Sequence, residues 1–547
     1  MRTKHFSLKG AWALALALAL MGTLVLAACK GPSSGGGSSA KNSTITIGLA
    51  QLTKNIDPIY AYDFSTNPVT NQVFESLLQF DNSNQLQPML AKSWKEVDST
   101  TYVYEIRNDV KFSDGKPMTM ADVLYSLSRY QNKDLGAYTA WMYDNVASIK
   151  QTGDWEITVK LSQPDALWKM TFATTAGSIQ EKAVVEAGGK NYGTVSSWPI
   201  GTGAYKITSW AAGGDIKMEY NTDYWNKAAG TPEVKTVVFR SVEEDSTRVA
   251  ALTSGQIDLI LSTPVDMLPQ VTKSKNAKLA KIAAPGSEYI SFNTTTAPFN
   301  DPNARRAVAA AINVGDLQKN VIKDFGQPTN FMMIPDTLFL FEKQSWQDYV
   351  KSAKVNSYNV AAAKKYLADS KTPNGFSFDL TVDSKSIDNS VALAVQQDLK
   401  AVGITCNLKK VSNDEATSEQ FGSGIKNGVR PYQALITEWV SDFPDPSGVL
   451  TPLYDSSGGG DGGSNSAQYA NSKVDALLKQ QAASTDNAER TKLMTEVLDI
   501  TNEDQPYYIY THQNWLFGYN PRITKGAADA SAFWIWNLRV QNFKLKN

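Results

Sequence analysis

A strand, a helix and a second strand follow one another within residues 376–408, and this order constrains the fold most. Residues 376–380 alternate apolar and polar side chains, as a half-buried strand does. Residues 390–402 carry a helical pattern that Gly403 ends, and alternation resumes over residues 404–408. Because a helix that connects two strands of one sheet favours parallel pairing, this segment predicts an α/β fold.

The composition predicts a globular body with a large core. The chain has 547 residues, of which 42% are hydrophobic and 20% are charged, so we expect more than one domain. The formal charge of -1 becomes -4 without residues 1–28, which hold three basic residues and no acidic ones. Lys and Arg are not clustered among aromatic residues, which argues against binding to nucleic acid.

The amino terminus has the pattern of an export signal. A basic start precedes a largely apolar run without charged residues over residues 11–28, and residues 26–29 read Leu-Ala-Ala-Cys, which resembles a bacterial lipobox. The resemblance predicts that a signal peptide of residues 1–28 is removed and that Cys29 carries a lipid anchor. An uncleaved transmembrane helix is the alternative.

Residues 29–43 are rich in Gly and Ser and predict a flexible tether. The folded body is expected to begin at residue 44, where strand-like alternation starts. With Cys29 assigned to the lipid, Cys406 has no partner cysteine, and its place in an alternating segment predicts a buried, unreactive thiol.

The sequence lacks the residue sets that common catalytic and metal sites require. His512 is the only histidine after the signal, so neither a catalytic triad nor a histidine metal cluster can be built on it. The glycine run of residues 458–463 lacks the Lys-Ser/Thr of a phosphate loop. We therefore predict no catalytic residue, no metal and no cofactor. Paired carboxylates such as Asp442 and Asp445 could serve as a general acid and base, so a hydrolase remains an alternative function.

A series of short segments in fixed order carries the strongest functional signal. They span nearly all of the mature chain: Asn55-Ile56-Asp57-Pro58, Pro88-Met89-Leu90-Ala91-Lys92-Ser93-Trp94, Val110 to Pro117, Ala121-Asp122-Val123, Pro199 to Tyr205, Asp223-Tyr224-Trp225, Ser254 to Asp258, Phe292-Asn293, Arg305-Arg306-Ala307, Gln396 to Leu399, Asp442 to Pro446 and Asn471 to Leu478. In these segments the chain resembles the family 5 solute-binding proteins of ABC importers, which include dipeptide-, oligopeptide- and nickel-binding proteins.

The resemblance implies a two-lobed α/β fold like that of periplasmic binding proteins, a Venus flytrap that closes on its ligand. Lobe I would comprise residues 44–285, with an inserted subdomain at about 75–195. Lobe II would comprise residues 286–505, and residues 506–547 would return to lobe I. Hinge crossings are expected near 285 and 505.

The resemblance also places a ligand site at a strand end. In peptide-binding members the matching strand lines the cleft, and the aspartate that aligns with Asp442 takes the ligand's α-amine. Trp439, Val440 and Ser441 precede it and are expected to line the same cleft. A buried ammonium requires a carboxylate partner, so the chemistry agrees with this role.

Two features leave alternatives open. Glu438 stands where peptide binders often have glycine, so the ligand can differ from theirs. Asp442 is also suited to cap the turn that Pro444 and Pro446 form.

The first crossing of the cleft contacts ligand in the family, and here it offers Gln51, Thr53 and Asn55 as hydrogen-bonding groups. Trp439 is as suited to a sugar face as to a peptide side chain, so an oligosaccharide is an alternative ligand.

Together these features predict a lipid-anchored, monomeric receptor on the outer face of the cytoplasmic membrane. It would capture a peptide and deliver it to the permease subunits of an ABC importer, whose own ATPase subunits use the ATP. The alternatives from other classes are a secreted hydrolase and a membrane-associated folding helper.

Overall fold

The structure is a computed structural model that describes residues 43–329, 332–422 and 424–546. The predicted signal peptide, Cys29 and nearly all of the predicted tether lie outside these ranges. In the part of the chain that is described, no helix combines the length and apolar character needed to cross a membrane.

The strands are numbered in chain order. They are β1 Thr44–Leu49, β2 Leu78–Phe80, β3 Leu86–Pro88, β4 Ala91–Asp98, β5 Thr101–Ile106, β6 Val146–Gly153, β7 Glu156–Leu161, β8 Tyr205–Trp210, β9 Ile216–Tyr220, β10 Thr236–Ser241, β11 Leu259–Ile260, β12 Lys278–Phe292, β13 Gly326–Gln327, β14 Ser377–Val382, β15 Thr405–Lys410, β16 Ala434–Val440, β17 Tyr507–Tyr519, β18 Ile523–Lys525 and β19 Lys544–Leu545.

The α-helices follow the same order. They are α1 Asn67–Val73, α2 Met120–Gln131, α3 Trp168–Thr171, α4 Lys182–Gly188, α5 Asp245–Ser254, α6 Leu268–Thr272, α7 Pro302–Ala311, α8 Val314–Leu317, α9 Lys343–Ser352, α10 Val360–Ala368, α11 Ser386–Lys400, α12 Asn413–Gln420, α13 Ser447–Tyr454, α14 Ser472–Ala483, α15 Asn487–Asp504 and α16 Trp534–Asn537.

One mixed sheet of eleven strands organises the molecule. Its order is β15-β14-β16-β12-β17-β11-β1-β10-β9-β8, with β13 also on β17. The long strands β12 and β17 pair antiparallel in the middle and join the two halves of the sheet. A separate antiparallel sheet, β4-β5-β7-β6, lies within residues 91–161.

The predicted strand–helix–strand unit is confirmed. Strands β14 and β15 are parallel, with Ser377 opposite Thr405, and α11 connects them. The helix begins at Ser386, four residues before the predicted start. Cys406 is buried among apolar side chains of this half, as its alternation predicts.

Local signals elsewhere in the chain are also confirmed. Thr119 and Asp122 form a reciprocal capping box at the start of α2. Helix α5 ends at Gly255, whose φ of 80° is the left-handed conformation that glycine adopts without strain. Asp301 caps α7, and Pro302 occupies its first turn.

The middle of the sheet contains an irregularity that shapes the site. The pairing of β12 with β17 shifts register between Ala283 and Ser287, and β16 joins β12 at Gly286. A Cβ at Gly286 would lie 2.9 Å from Val440 Cγ2 and 3.0 Å from the Trp439 carbonyl oxygen. Glycine therefore lets β12 and β16 approach closely where the two halves of the sheet meet.

Candidate ligand-binding site

Asp442 lies just beyond the end of β16 and is half-buried. The Tyr62 hydroxyl donates a hydrogen bond of 2.8 Å to its carboxylate oxygen Oδ2. The Trp536 indole N–H donates to its backbone carbonyl over 2.8 Å. Residues far apart in the chain, at 62 and 536, thus both contact Asp442, the first through its carboxylate and the second through its backbone.

Among the described residues, no cation forms an ion pair with the Asp442 carboxylate. Burial raises the pKa of this carboxyl to about 6, and the hydrogen bond from Tyr62 only partly offsets that increase. None of the ion pairs formed by the described residues involves Asp442. A desolvated carboxylate with a hydroxyl as its partner is suited to receive an ammonium group.

Aromatic rings lie beside Asp442 and its partner Tyr62. The ring centroids of Tyr62 and Trp536 are 6.0 Å apart, and those of Trp141 and Phe443 are 6.1 Å apart. Trp141 is 45% exposed although it belongs to this cluster, so its ring has a face open to a ligand. Such rings exclude water from the carboxylate and supply apolar contact area.

The residues that precede Asp442 differ in how accessible they are. Trp439 is half-buried, and its indole N–H is held by the Gly448 carbonyl at 3.0 Å. Val440 is half-buried and pairs with Gly286. The Ser441 side chain is buried, and its hydroxyl donates a hydrogen bond of 2.8 Å to the Phe443 carbonyl. Ser441 therefore stabilises the turn that follows β16.

One edge of β16 is only partly covered by strands. Strand β12 pairs with it from Ala434 to Val440, whereas on the other edge β14 pairs only at Ala434 and Leu435. The Gln420 side chain donates to the Glu438 carbonyl at 3.0 Å. An extended chain can add to such an edge through main-chain hydrogen bonds.

The predicted residues of the first crossing lie in a loop before Pro58. Gln51 is exposed, whereas Thr53 and Asn55 are half-buried. Thr53 Oγ1 donates to the Asn55 carbonyl at 2.6 Å, and Asn55 Oδ1 accepts from the Asp57 N–H at 2.7 Å. The Thr53 and Asn55 side chains therefore shape this loop.

A buried ion pair fixes that loop. Asp57 accepts two hydrogen bonds from Arg129, at 2.9 and 2.6 Å, and both residues are buried. The loop leads into Tyr62, which supplies the contact with Asp442.

Sequence reasoning missed Tyr62, Trp141 and Trp536. Tyr60, Tyr62 and Phe64 occur at alternate positions beyond the predicted crossing, and this was the available signal for Tyr62. The approach of Trp536 across the fold left no local pattern in the sequence.

Asp445 has a structural role. With Asp442 it forms the pair of carboxylates on which the alternative of a hydrolase rested. It is fully buried and receives two hydrogen bonds of 2.9 Å from Arg490. It also accepts from the Ser447 hydroxyl at 2.6 Å. A carboxylate held in this way is not free to exchange protons with a substrate.

Over residues 43–329, 332–422 and 424–546, no group of three or more His, Cys, Asp or Glu side chains is arranged to hold a metal ion. His512 is buried, and burial lowers the pKa of its imidazole to about 4. Its Nδ1 lies 2.8 Å from the Ser287 hydroxyl, so it is a packed residue of β17.

Comparisons with known proteins agree with this architecture. The glutathione-binding protein GsiB of Escherichia coli (strain K12) is 27% identical over 529 residues, which cover 96% of each chain. The periplasmic binding protein DppA from Helicobacter pylori, solved with the peptide STSA, superposes with a TM-score of 0.74 at 22% identity, covering 92% of this chain and 98% of that one.

A third protein has the same fold. The oligopeptide-binding protein AppA from Bacillus subtilis, solved with a nonapeptide, gives a TM-score of 0.72 at 23% identity and covers 92% of this chain and 99% of its own. The predicted two-lobed α/β fold of periplasmic binding proteins is thus confirmed. Residues 85–461 match the bacterial extracellular solute-binding proteins, family 5, and the chain belongs to that family.

Proposed function

We propose that this protein binds a peptide by its free α-amine and delivers it to an ABC importer. The observation that carries the proposal is the half-buried Asp442 carboxylate, which has a tyrosine hydroxyl rather than a cation as its partner. A peptide ammonium would supply the missing positive charge in a desolvated site.

The strand edge supports an extended ligand. The edge of β16 beyond Leu435 runs toward Asp442, and β14 does not pair with it there. A peptide with its amine on Asp442 would place its backbone along this edge, while Trp141 and Trp439 contact its side chains. DppA and AppA, which share the fold, were solved with peptides.

Glutathione suits this arrangement less well. Its γ-glutamyl end carries an α-carboxylate on the same carbon as the α-amine, and a cation next to Asp442 would suit that carboxylate best. Among the described residues, the ion pairs bring none there. We therefore place a peptide with an ordinary amino terminus ahead of glutathione.

We further propose that the receptor is a monomer held at the outer face of the cytoplasmic membrane by a lipid on Cys29, and that it is not an enzyme. The support for the anchor is the Leu-Ala-Ala-Cys sequence of residues 26–29. Partitioning between a detergent phase and water tests the anchor. The wild-type protein should enter the detergent phase, and the Cys29→Ser variant should not.

Ligand binding is expected to stabilise and compact the protein. Unmodified hexapeptides should be screened by thermal unfolding, with glutathione as the comparison ligand. At a hundredfold excess over Kd a peptide should stabilise the native state by about 2.7 kcal/mol. It should also decrease the radius of gyration in solution scattering, because the lobes close on it. A peptide that raises Tm without any change in scattering would contradict a hinged receptor.

Affinity is expected to depend on pH through Asp442. The ligand ammonium binds the ionised carboxylate, whose pKa burial raises to about 6 in the unliganded protein. Protons therefore compete with the ligand, and affinity should fall about tenfold for each pH unit below about 6. Calorimetry between pH 4.5 and 8 checks this, and the Asp442→Asn variant is expected to lack the transition. A peptide affinity that increases toward acid pH would contradict this role of Asp442.

A further inference from the structure

Glu438, on the site strand β16, belongs to a group of carboxyls. It lies on β16 directly opposite Glu288 on β12. The Gln513 amide nitrogen on β17 donates to Glu288 Oε1 at 2.6 Å and also to Glu438 Oε2. Like charges opposite each other on neighbouring strands are destabilising. The pairing of Glu288 and Glu438 is therefore stabilised by protonation of one carboxyl or by a cation.

Lys385 supplies one positive charge to this group. Its ammonium lies 3.0 Å from Glu438 Oε1 and 3.6 Å from Asp383 Oδ2. Asp388, in the first turn of α11, is only 2% exposed, and its Oδ1 has no hydrogen-bond partner. Its charge acts on Glu288, Glu438 and Lys385, so it faces the same group. Four carboxyls thus share the ammonium of Lys385.

The ion pairs of this group leave it with more carboxylates than cations, because Glu438 and Asp383 share the one ammonium of Lys385. Burial raises the pKa values of Glu288 and Asp388 well above the ordinary range. Burial acts on Glu438 in the same direction, but Lys385 and Gln513 outweigh it and lower the pKa of this carboxyl. Glu438 is therefore ionised at neutral pH, and a second cation would stabilise the ionised forms of its neighbours.

Glu438 is partly exposed on the strand that leads to Asp442. Its side chain is 41% exposed, whereas Glu288 is 2% exposed behind it. Asp442 lies four positions after Glu438 along β16 and its continuation. At about 3.3 Å per residue, this separation is at most roughly 13 Å, the reach of a few residues of an extended ligand.

From this placement we propose that Glu438, supported by Glu288 and Asp388, forms a subsite for a cationic side chain of the ligand. With the ligand amine on Asp442, the lysine or arginine would stand at position 3, 4 or 5 of the peptide. This inference rests on the proposed peptide-binding function and specifies its substrate class as peptides with a basic residue near the amino terminus.

The test uses alanine hexapeptides that carry either one lysine or one norleucine at position 3, 4 or 5. Norleucine keeps the aliphatic chain of lysine and removes its ammonium. Calorimetry on the wild-type protein should show the lysine peptide binding about tenfold tighter or better at one or more of these positions. Glu438→Gln should abolish that preference while keeping the affinity for the norleucine peptide.

Glu415→Gln is the matched control, because Glu415 is an exposed glutamate on α12 of the same half of the sheet. It should keep the preference for lysine. If Glu438→Gln does not fold, Asp388→Asn should reduce the preference, and an unchanged preference in that variant would overturn the proposal.

Equal binding of lysine and norleucine peptides at all three positions also overturns the proposal, as does a preference that survives in Glu438→Gln. In these cases peptides still bind and the proposed function stands. If none of the hexapeptides binds the wild-type protein, the proposed function fails together with the inference.

Discussion

Asp442→Asn is expected to weaken peptide binding by a few hundredfold or more. The substitution keeps the shape of the side chain and removes the charge, so the ligand ammonium would be desolvated without its partner. Breaking a buried ion pair in this way typically costs about 3 to 5 kcal/mol. Calorimetry with a free-amine hexapeptide measures the loss directly.

The same substitution should not destabilise the unliganded protein. Because burial raises the pKa of Asp442 to about 6 from 3.8, its ionisation disfavours the folded state, and this contribution grows as pH rises from about 4 to 6. Asparagine removes that contribution. At pH 7 the variant should therefore unfold at the same temperature as the wild type or higher. A large decrease in Tm would mean that Asp442 mainly holds the turn beyond β16.

Asp445→Asn, only three residues away, is expected to act on stability. Asp445 is fully buried and forms two hydrogen bonds with Arg490, which is itself only 4% exposed. Removing the charge leaves the guanidinium buried without its counter-ion, so the free energy of unfolding should fall by about 3 to 5 kcal/mol. Urea unfolding of the unliganded protein measures this change.

Asp215→Asn is the control for that prediction. Asp215 also pairs with an arginine through two nitrogens, but the Arg240 and Asp215 side chains are 41% and 37% exposed. An exposed pair contributes less than about 1 kcal/mol. Equal losses for Asp445→Asn and Asp215→Asn would contradict the assignment of Asp445 to the buried framework.

Much of the fold could be predicted because its signals are local. The α/β unit of β14, α11 and β15 follows from alternation, helical periodicity and the glycine that ends the pattern. The capping box of Thr119 and Asp122 likewise needs only a four-residue window. The predicted lobe boundaries and hinge crossings follow from family resemblance and remain predictions.

The site was harder to predict because its contacts are long-range. The hydrogen bond from Tyr62 to Asp442 spans 380 positions, and that from Trp536 to the Asp442 carbonyl spans 94. The pairing of Glu438 with Glu288 depends on the register of β16 against β12, which a single sequence does not specify. The family resemblance nevertheless identified Asp442 and its neighbours as candidates.

The most direct test of the account compares free and N-acetylated forms of one hexapeptide on the wild-type protein. If Asp442 holds the α-amine, acetylation should weaken binding by a few hundredfold or more, and adding Asp442→Asn should cause little further loss because both changes remove one interaction. Equal Kd values for the free and acetylated peptides would contradict the account, leave Asp442 as a turn residue and favour the oligosaccharide alternative.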